Sequence, residues 1–399
     1  MNADVVIVGG GPAGMMAGLL FARAGISTLV LEKHDDFLRD FRGDTVHPST
    51  MAFLDELGML ERFLARPHDK VATIAARVAG KQITVADFRH LPVPARFIAM
   101  MPQWDFLDFL LDEAAAFPAF ALERNAEATG FAEVGGRVTG VTLADGRTIA
   151  ANKLVIAADG RRSVVRQMLP LTTLGAPMDV FWFRVPKADT GDNRSAGVFE
   201  AGRIFALIDR TTYWQCAYVF PKGAVEGLKA RGLAALVTDI QNTVPELGPL
   251  GNVLGSWDDF HLLSVALDRL DSWYRPGLLA IGDAAHAMSP IGGVGINLAV
   301  QDAVATANIL AGPMRGAPNV DDLLSHVQSR RMLPTRIVQG FQQFAQNNVI
   351  GALLRSDARL VRPPFALRML DRFPRLRRIP ARLIGLGVRR EHIASPTAR

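Results

Sequence analysis

An apolar run without charge opens the chain and gives the first structural prediction. Residues 5–8 are branched aliphatic side chains, and no charged residue occurs from Val5 to Ala22. Such a run is typical of a strand that is buried on both faces of a parallel sheet. Glycines at positions 9, 10, 11 and 14 interrupt the run where a membrane-spanning helix would be continuous. We therefore predict a strand, a tight turn and a buried helix over 15–24.

Three further apolar runs end in polar turns and predict more strands of the same sheet. The runs and the residues that follow them are 27–31 before Glu32, 153–158 before Asp159, and 278–281 before Gly282 and Asp283. A helical pattern over 298–310 follows the last run. Ligands of open α/β sheets bind where the strands end, so these turns are candidates for one shared site.

The composition excludes several classes of protein. The chain has 399 residues, 49% of them hydrophobic and 21% charged, which is the profile of a globular protein of two or three domains. Its one cysteine, Cys216, cannot form an internal disulfide, so we expect a reducing, cytoplasmic compartment and a buried, inert thiol. The eight histidines show no metal-ligand spacing, and we predict no metal site.

The net charge of +5 is unevenly distributed. Between Arg355 and Arg399 the chain carries twelve arginines and three acidic residues, so the remainder is mildly acidic. That remainder lacks a basic patch with interleaved aromatic residues, and we expect no nucleic-acid partner. Prolines at 363, 364, 374 and 380 divide the tail into short helices. The tail is a candidate for a cover over another domain, for a subunit contact or for a peripheral membrane contact, in a monomer or homodimer that is not integral to a membrane.

The first predicted strand and helix carry a dinucleotide-binding motif. Residues 9–14 fit the pattern GxGxxG. The glycines allow a tight turn, close approach of a pyrophosphate and close helix packing. Free amides at the helix N-terminus favour an anion, and Glu32 after the second strand is placed to accept hydrogen bonds from a ribose. The motif alone leaves NAD and FAD open.

Two later segments favour FAD. Asp159 and Gly160 follow a strand, and Ser163 is a candidate helix cap, although an Asp-Gly pair is also a common turn. Residues 289–297 form a glycine-rich loop that leads into a helix and creates a second anion site. No strand leads directly into this loop, so it is not a second dinucleotide motif. One dinucleotide fold with a second anion-stabilising helix suits a cofactor whose far end becomes negative, as reduced flavin does.

With these motifs the chain resembles the flavoprotein aromatic hydroxylases, the single-component FAD-dependent monooxygenases similar to p-hydroxybenzoate hydroxylase. The resemblance rests on GGGPAG at 9–14 with Glu32, AADGRRSVVR at 157–166 and GDAAHAMSPIGGVGINLAVQDA at 282–303. It implies FAD as the cofactor, NADPH or NADH as the electron donor, and oxygen as a substrate. It also implies hydroxylation of an aromatic or polycyclic small molecule through a flavin C4a-hydroperoxide.

The resemblance assigns roles to individual residues. Glu32 would bind the adenosine ribose, and Asp283 would hold the ribitol. Arg42 would lie along the pyrophosphate near the path of the nicotinamide donor. Gln103 would contact FAD, and Asp159 would serve both FAD and the pyridine nucleotide.

The loop before the last helix would face the isoalloxazine ring. Its helix would direct the positive end of its dipole at the ring carbonyl that carries charge in the reduced anion. The cofactor-binding residues implied in this way are Gly9, Gly11, Pro12, Ala13, Gly14, Glu32, Lys33, Arg42, Gln103, Asp159, Gly160, Gly282, Asp283, Pro290, Gly292, Gly293, Val294, Gly295, Ile296 and Asn297.

The segments between the motifs predict the substrate side. Residues 180–185 and 213–220 have strand composition and concentrate aromatic side chains. In the family such strands form a sheet over the flavin, although aromatic stripes are more often core packing. The pocket candidates are Phe183, Tyr213, Tyr218, His47 and Pro290. No protein nucleophile is required, since the chemistry is flavin-mediated.

The predicted fold class is α/β, with a Rossmann-like FAD-binding domain, an inserted mixed β-sheet substrate domain and a C-terminal helical segment. The FAD-binding domain is expected to be discontinuous, over 1–70, 101–170 and 275–340. The substrate domain takes 71–100 and 171–274, and the helical segment takes 341–399.

Alternative functions stay open at this point. A flavoprotein of the same fold could act as an epoxidase, a Baeyer-Villiger enzyme or a reductase, or could bind flavin without catalysis. An NAD-dependent dehydrogenase would use only the first motif. A flavin halogenase would carry a WxWxIP segment, which the sequence lacks.

Overall fold

The computed structural model describes residues 2–38, 45–78, 80–187, 196–200, 203–210, 212–354 and 363–398. The expected FAD contact Arg42 lies outside these ranges, as do the tail arginines at 355, 359, 362 and 399.

The strands of the described ranges fall into four sheets. In chain order they are β1 (Asn2–Val8), β2 (Thr28–Leu31), β3 (Thr45–Val46), β4 (Asp69–Val71), β5 (Thr73–Val78), β6 (Lys81–Asp87), β7 (Ile98–Met100), β8 (Phe120–Glu123), β9 (Ala128–Val134), β10 (Arg137–Leu143), β11 (Thr148–Ala157), β12 (Leu171–Thr173), β13 (Met178–Pro186), β14 (Ala196–Glu200), β15 (Arg203–Asp209), β16 (Tyr213–Pro221), β17 (His261–Ser264), β18 (Asp268–Leu270), β19 (Tyr274–Arg275), β20 (Leu278–Ala280) and β21 (His286–Ala287).

The α-helices of the same ranges cover both halves of the chain. They are α1 (Pro12–Arg23), α2 (Pro48–Glu56), α3 (Leu60–Leu64), α4 (Gln103–Ala115), α5 (Val225–Ala230), α6 (Leu233–Thr243), α7 (Gly295–Met314), α8 (Leu324–Ala345), α9 (Gly351–Leu354), α10 (Phe365–Arg372) and α11 (Arg378–Gly385). One π-helical turn, Gln346–Ile350, joins α8 to α9.

The largest sheet holds the strands of all three motifs side by side. Its order is β19-β20-β11-β1-β2-β8, and β10 and β9 extend it from β11. β1 pairs in parallel with β2 and β11, and β11 pairs in parallel with β20. The carboxyl ends of these four strands therefore meet at one edge, as the sequence predicts for an α/β fold.

Close packing of α1 on this sheet depends on glycine. A Cβ atom on Gly14 would lie 1.9 Å from the carbonyl oxygen of Gly9, and one on Gly18 would lie 2.8 Å from a methyl carbon of Val30. The helix thus lies close to β1 and β2, between α4 and α7. By composition α7 is long and apolar enough to span a membrane, but 78% of its most apolar window is buried, so here it is a core helix.

A seven-stranded sheet in the order β17-β13-β16-β15-β14-β5-β6 forms the second large layer. The aromatic-rich segments are its neighbouring strands β13 and β16, which pair antiparallel along their whole length. On one face, Phe181 and Phe183 pack with residues of α6 such as Ile240. On the other face, Val180 and Ala217 pack with residues that follow α8.

Two small sheets combine strands of the predicted FAD-binding domain with strands of the predicted substrate domain. β7 pairs with β3 and β4, while β18 pairs with β12 and β21. The predicted substrate domain includes 98–100 and 171–173, but β7 and β12 lie in these small sheets and not in the seven-stranded one. The reason is that β7 pairs with β3, and β12 shares a sheet with β21, and both β3 and β21 belong to the predicted FAD-binding domain.

The C-terminal helices begin before the expected boundary at 341. α8 crosses that position without a break and continues through the π-turn into α9, which contacts β15 and β16. α10 and α11 pack against β6. The chain then returns to the first domain, where the amide of Ala398 donates to the carbonyl of Arg23 at 2.8 Å.

Candidate functional site

The three motifs meet at the carboxyl edge of the largest sheet. The amide of Ala158 donates to the carbonyl of Val8 at 2.8 Å, and that of Ile281 donates to Ala157 at 2.9 Å. Gly9 has a φ of +103°, and a Cβ there would lie 2.6 Å from the Ala158 carbonyl oxygen. The first turn therefore needs glycine both for its backbone conformation and for its contact with the second motif.

The Gly-Asp turn of the third motif lies between the starts of two helices. A Cβ on Gly282 would lie 3.1 Å from the Cβ of Ala13 in α1 and 3.2 Å from that of Ala299 in α7. Gly282 also has a φ of +59°. This places the Gly-Asp turn, and with it Asp283, beside the first turn of α1.

Two arginines of the second motif connect it to the third. Arg161 donates from Nε to Asp283 Oδ2 at 2.9 Å and from Nη2 to the carbonyl of Met288 at 2.8 Å. Arg166 donates to the carbonyl of Asp283, also at 2.8 Å. Both arginines stand within the motif at 157–166, but neither is among the predicted site residues. They set the position of the carboxylate that is expected to hold the ribitol.

The Asp-Gly turn of the second motif has an unused acceptor. The amide of Val164 donates to Asp159 Oδ2 at 3.3 Å, whereas Oδ1 is buried without a hydrogen-bond partner in the described ranges. Burial raises the pKa of the Asp159 carboxyl above its ordinary value. A buried acceptor without a donor indicates a ligand that supplies one. Ser163 caps the following turn through the amide of Val165, as predicted.

The start of α1 leaves room for a diphosphate. Gly11 is the N-cap, and a Cβ there would meet no atom within 4 Å. Glu32 faces the same turn and accepts the amide hydrogens of Gly10 at 2.9 Å and His34 at 3.1 Å. Its neighbour Lys33 is exposed. Open space beside helix amides, next to a carboxylate, fits the pyrophosphate and ribose of a dinucleotide.

The loop before α7 is held by a buried histidine and a threonine. Thr45 donates from Oγ1 to the carbonyl of Gly293 at 3.2 Å, and His47 donates from Nδ1 to the carbonyl of Ile384 at 2.9 Å. Burial lowers the pKa of His47 to about 4, so its ring is neutral at neutral pH. His47 lies beside the loop, since its Nε2 is 3.3 Å from Thr45 Oγ1 and would be 3.5 Å from a Cβ on Gly293. Its role as a pocket residue stays a prediction. Pro290 starts the loop's 3₁₀ turn.

The first turn of α7 is open to a negative group. Asn297 accepts hydrogen bonds at Oδ1 from Ser49 and from Thr50, the latter at 3.1 Å. Its Nδ2 is buried without an acceptor among the described residues. Gly295 begins the helix, a Cβ there would meet nothing within 4 Å, and the helix N-cap, Val294, makes no side-chain cap hydrogen bond. The positive helix end and an unused donor therefore fit an acceptor on a flavin ring.

Glutamines of α8 hold the same loop from the other side. Gln342 accepts the amide hydrogen of Ser289 at 3.1 Å, and its Nε2 donates to the carbonyls of Ser289 at 2.9 Å and Ile291 at 3.0 Å. One turn earlier, Gln339 donates to the carbonyl of Ala287 at 3.3 Å. Neither glutamine is among the residues predicted from the sequence. Their signal is a row of glutamines at helical spacing on a helix that is otherwise half apolar.

A buried ionic cluster fixes the third motif to the C-terminal segment. Asp302 accepts hydrogen bonds from Gly282 at 3.1 Å, His286 at 2.6 Å and Arg331 at 2.9 Å. Arg331 also donates to Glu391 at 3.2 Å. Burial by itself would raise the pKa of the Asp302 carboxyl, but contact with His286 and Arg331 lowers it below its ordinary value.

The structure corrects two of the pocket candidates. Phe183 is fully buried with its ring centroid 5.1 Å from that of Phe260, and Tyr218 stacks on Phe205 at 4.9 Å. Both lie in the cluster between the sheet and α6, whereas Ile291 of the loop before α7 packs against the cluster on the other face. Successive side chains of a strand point to opposite faces of the sheet. The aromatic composition therefore predicts the two strands but not which of their faces is turned towards the cofactor.

The opposite face of these strands adjoins the loop before α7. Trp182 of β13 and Ala217 of β16 lie opposite each other and pack in one cluster with Ile291. Tyr213 is the first residue of β16, and the guanidinium of Arg184 lies 5.1 Å from its ring centroid. Trp182 and Ile291 are partly exposed, so the wall between sheet and loop is apolar and accessible.

Gln103 is the first residue of α4 and is half-buried. It follows β7, whose Met100 pairs with Thr45, the residue that holds Gly293. The backbone thus leads Gln103 towards the loop of the third motif. Its contact with FAD stays a prediction.

These features define a class: an α/β protein with a dinucleotide fold and a second, loop-and-helix anion site. The chain belongs to the FAD binding domain family, whose model matches residues 2–340. It is 32% identical over 391 residues to the 6-methylpretetramide 4-monooxygenase of Streptomyces rimosus, which covers 96% of this chain and 92% of that protein. It is 27% identical to a flavin-dependent monooxygenase of Mycobacteroides abscessus, over 82% of this chain and 71% of the relative.

The fold is shared with a solved p-nitrophenol 4-monooxygenase from Pseudomonas putida. The TM-score is 0.75 at 20% sequence identity, over 96% of this chain and 97% of the other. The protein is thus an FAD-dependent monooxygenase, and the predicted family, fold class and FAD cofactor are confirmed.

Proposed function

We propose that this enzyme hydroxylates an aromatic or polycyclic small molecule with NADPH or NADH as its electron donor. One observation carries the proposal: the apolar, partly exposed face around Trp182 adjoins Ile291 of the loop that is expected to meet the flavin. Apolar walls with few polar groups are typical of sites for flat aromatic ligands. The names of the relatives, a 6-methylpretetramide and a p-nitrophenol monooxygenase, support the same substrate class.

The residues of this chain have binding and orienting tasks. Gly11 and the first turn of α1 leave room for the diphosphate, Glu32 and Asp283 accept sugar hydroxyls, and Asp159 offers its unused oxygen. When bound, FAD accepts electrons from the nicotinamide donor and activates oxygen. The start of α7 stabilises negative charge that arises on the ring.

Exclusion of water is the second task of the chain. The apolar wall formed by Trp182, Ala217 and Ile291 keeps the space beside the loop poor in water when substrate fills it. A substrate that completes this enclosure directs oxygen into product, whereas without it peroxide is expected to escape. We therefore expect substrate to raise both donor consumption and coupling.

The test measures three quantities together on the FAD-loaded enzyme in air. NADPH and NADH oxidation, peroxide release and incorporation of ¹⁸O from ¹⁸O₂ are compared with and without naphthol as a simple aromatic probe. The proposal expects faster donor oxidation and labelled product with the probe. Donor oxidation that aromatic probes never stimulate, with all oxygen recovered as peroxide, would contradict it.

We also propose that the tail covers the substrate sheet in a cytoplasmic monomer or homodimer. α10 and α11 pack against the edge strand β6, and Lys81 forms an ion pair with Asp371. Cys216 is buried, and burial raises the pKa of its thiol, which suits an unreactive cysteine in a reducing compartment. Sedimentation of the protein with anionic lipid vesicles would instead favour a membrane contact.

A further inference from the structure

A buried polar row runs along one face of α8 and ends in a side chain without a partner. Gln339 and Gln342 use their amides to hold backbone groups of 287–291. Gln346 continues the row and is fully buried. Neither its Oε1 nor its Nε2 has a hydrogen-bond partner within the described part of the chain.

Gln346 lies between the loop before α7 and the seven-stranded sheet. Four residues before it, Gln342 bonds to Ile291. Four residues after it, Ile350 packs in the cluster that contains Ala217 and Trp182. Residues four apart share a helix face, so the amide of Gln346 faces the region where loop and sheet meet.

The local helix geometry supports a ligand-binding role. The helix widens into a π-turn over Gln346–Ile350. Such turns are rare and occur frequently at functional sites. Buried amides are almost always hydrogen-bonded in folded proteins because an unmade bond in the interior is costly. Both atoms of Gln346 therefore point to a ligand that supplies a donor and an acceptor together.

A second unused donor borders the same region. The indole Nε1 of Trp182 is buried and has no acceptor in the described ranges. Trp182 lies in the cluster with Ile291 and Ile350. An uncharged substrate could accept this hydrogen bond through an oxygen other than the one that pairs with Gln346.

We propose that Gln346 recognises the substrate through a reciprocal pair of hydrogen bonds, and that Trp182 donates a third. The matching substrate is a fused-ring phenol with a carboxamide, or an equivalent enol and carbonyl pair, beside the hydroxyl. A primary amide offers one donor and one acceptor in the spacing that a glutamine amide requires. This inference rests on the proposed function, since it assigns the polar contacts of the same aromatic pocket.

The test compares two probes on the FAD-loaded enzyme by the change in flavin absorbance on binding. One is hydroxynaphthamide, which carries a carboxamide beside its hydroxyl, and the other is naphthol. The wild type should bind the amide at least about tenfold more tightly, the combined factor expected for the two hydrogen bonds of the reciprocal pair. Gln346→Leu should abolish this preference by weakening the amide probe much more than naphthol. Trp182→Phe should weaken the amide probe by a smaller factor.

A matched control is Gln343→Leu, which changes a half-buried glutamine that bonds to the carbonyl of Leu174 at 3.4 Å. This variant should keep the preference for the amide. The inference is overturned if the wild type binds the two probes equally well. It is also overturned if Gln346→Leu still prefers the amide probe over naphthol, whether or not this variant binds FAD more weakly. Naphthol-stimulated donor oxidation in the same preparations reports separately on the proposed function.

Discussion

His47 predicts a dependence of stability on pH that can be worked out from its environment. The side chain is fully buried, and burial lowers its pKa from 6.5 to about 4. Below pH 6.5 the unfolded chain binds a proton that the folded chain does not bind until about pH 4. The folded state therefore keeps its full stability with respect to His47 above pH 6.5. It loses stability progressively as the pH falls towards 4, because the unfolded chain binds the proton first.

The magnitude follows from the two pKa values. At about 1.4 kcal/mol per pH unit, the full difference is worth roughly 3–4 kcal/mol, and most of it is lost by about pH 4.5. Replacement of His47 by asparagine, whose amide nitrogen can still donate to the carbonyl of Ile384, removes this titration. As the pH falls, the free energy of unfolding of His47→Asn should therefore decline less than that of the wild type.

Urea unfolding at several pH values between about 7 and 4.5 measures this difference. His326→Asn is the matched control, because His326 is exposed on α8 and its replacement should keep the wild-type slope. Equal slopes for wild type and His47→Asn would refute the reasoning, since they would mean that His47 binds its proton at the same pH in the folded and the unfolded chain.

Three other changes test separate parts of the structure. Asp283→Ala leaves Arg161 without its carboxylate and should weaken FAD binding by about 1–3 kcal/mol, measured by flavin fluorescence on titration. Asp302→Asn removes the charge that Arg331 faces inside the protein and should cost about 3–5 kcal/mol in urea unfolding, whereas an unchanged midpoint would argue against the ionic cluster. Phe183→Ala should cost about 3–5 kcal/mol of stability but leave the ratio of peroxide to product unchanged, and a rise in peroxide would restore this residue to the pocket.

Much of the flavin half can be predicted from local pattern. A β-branched run, a glycine turn and an acid at the end of the next strand have a direct physical meaning, because each residue type is required where it stands. Gly9 illustrates this, since its φ of +103° and its contact with Ala158 both exclude a side chain. The Asp-Gly and Gly-Asp turns follow from the same reasoning.

The substrate half needs the tertiary structure. Alternation along β13 predicts two faces but gives no information on which face meets the loop at Ile291, so Phe183 is assigned to the wrong one. The roles of Arg161 and Gln342 depend on contacts more than 50 residues away in the chain. No local pattern specifies such partners. The start of the C-terminal helices is missed because α8 spans the expected boundary.

The most direct test of the account is the identity and amount of flavin that the protein releases. Purified protein saturated with flavin and freed of excess should be yellow, and denaturation should release FAD at about one molecule per chain, identified by its mass. This result is expected because the glycine turn and Glu32 fit the adenosine half of the cofactor, and Asp159 and Asp283 are the predicted contacts of its remaining part. Release of FMN, or failure to retain FAD after incubation with excess, would contradict the central claim.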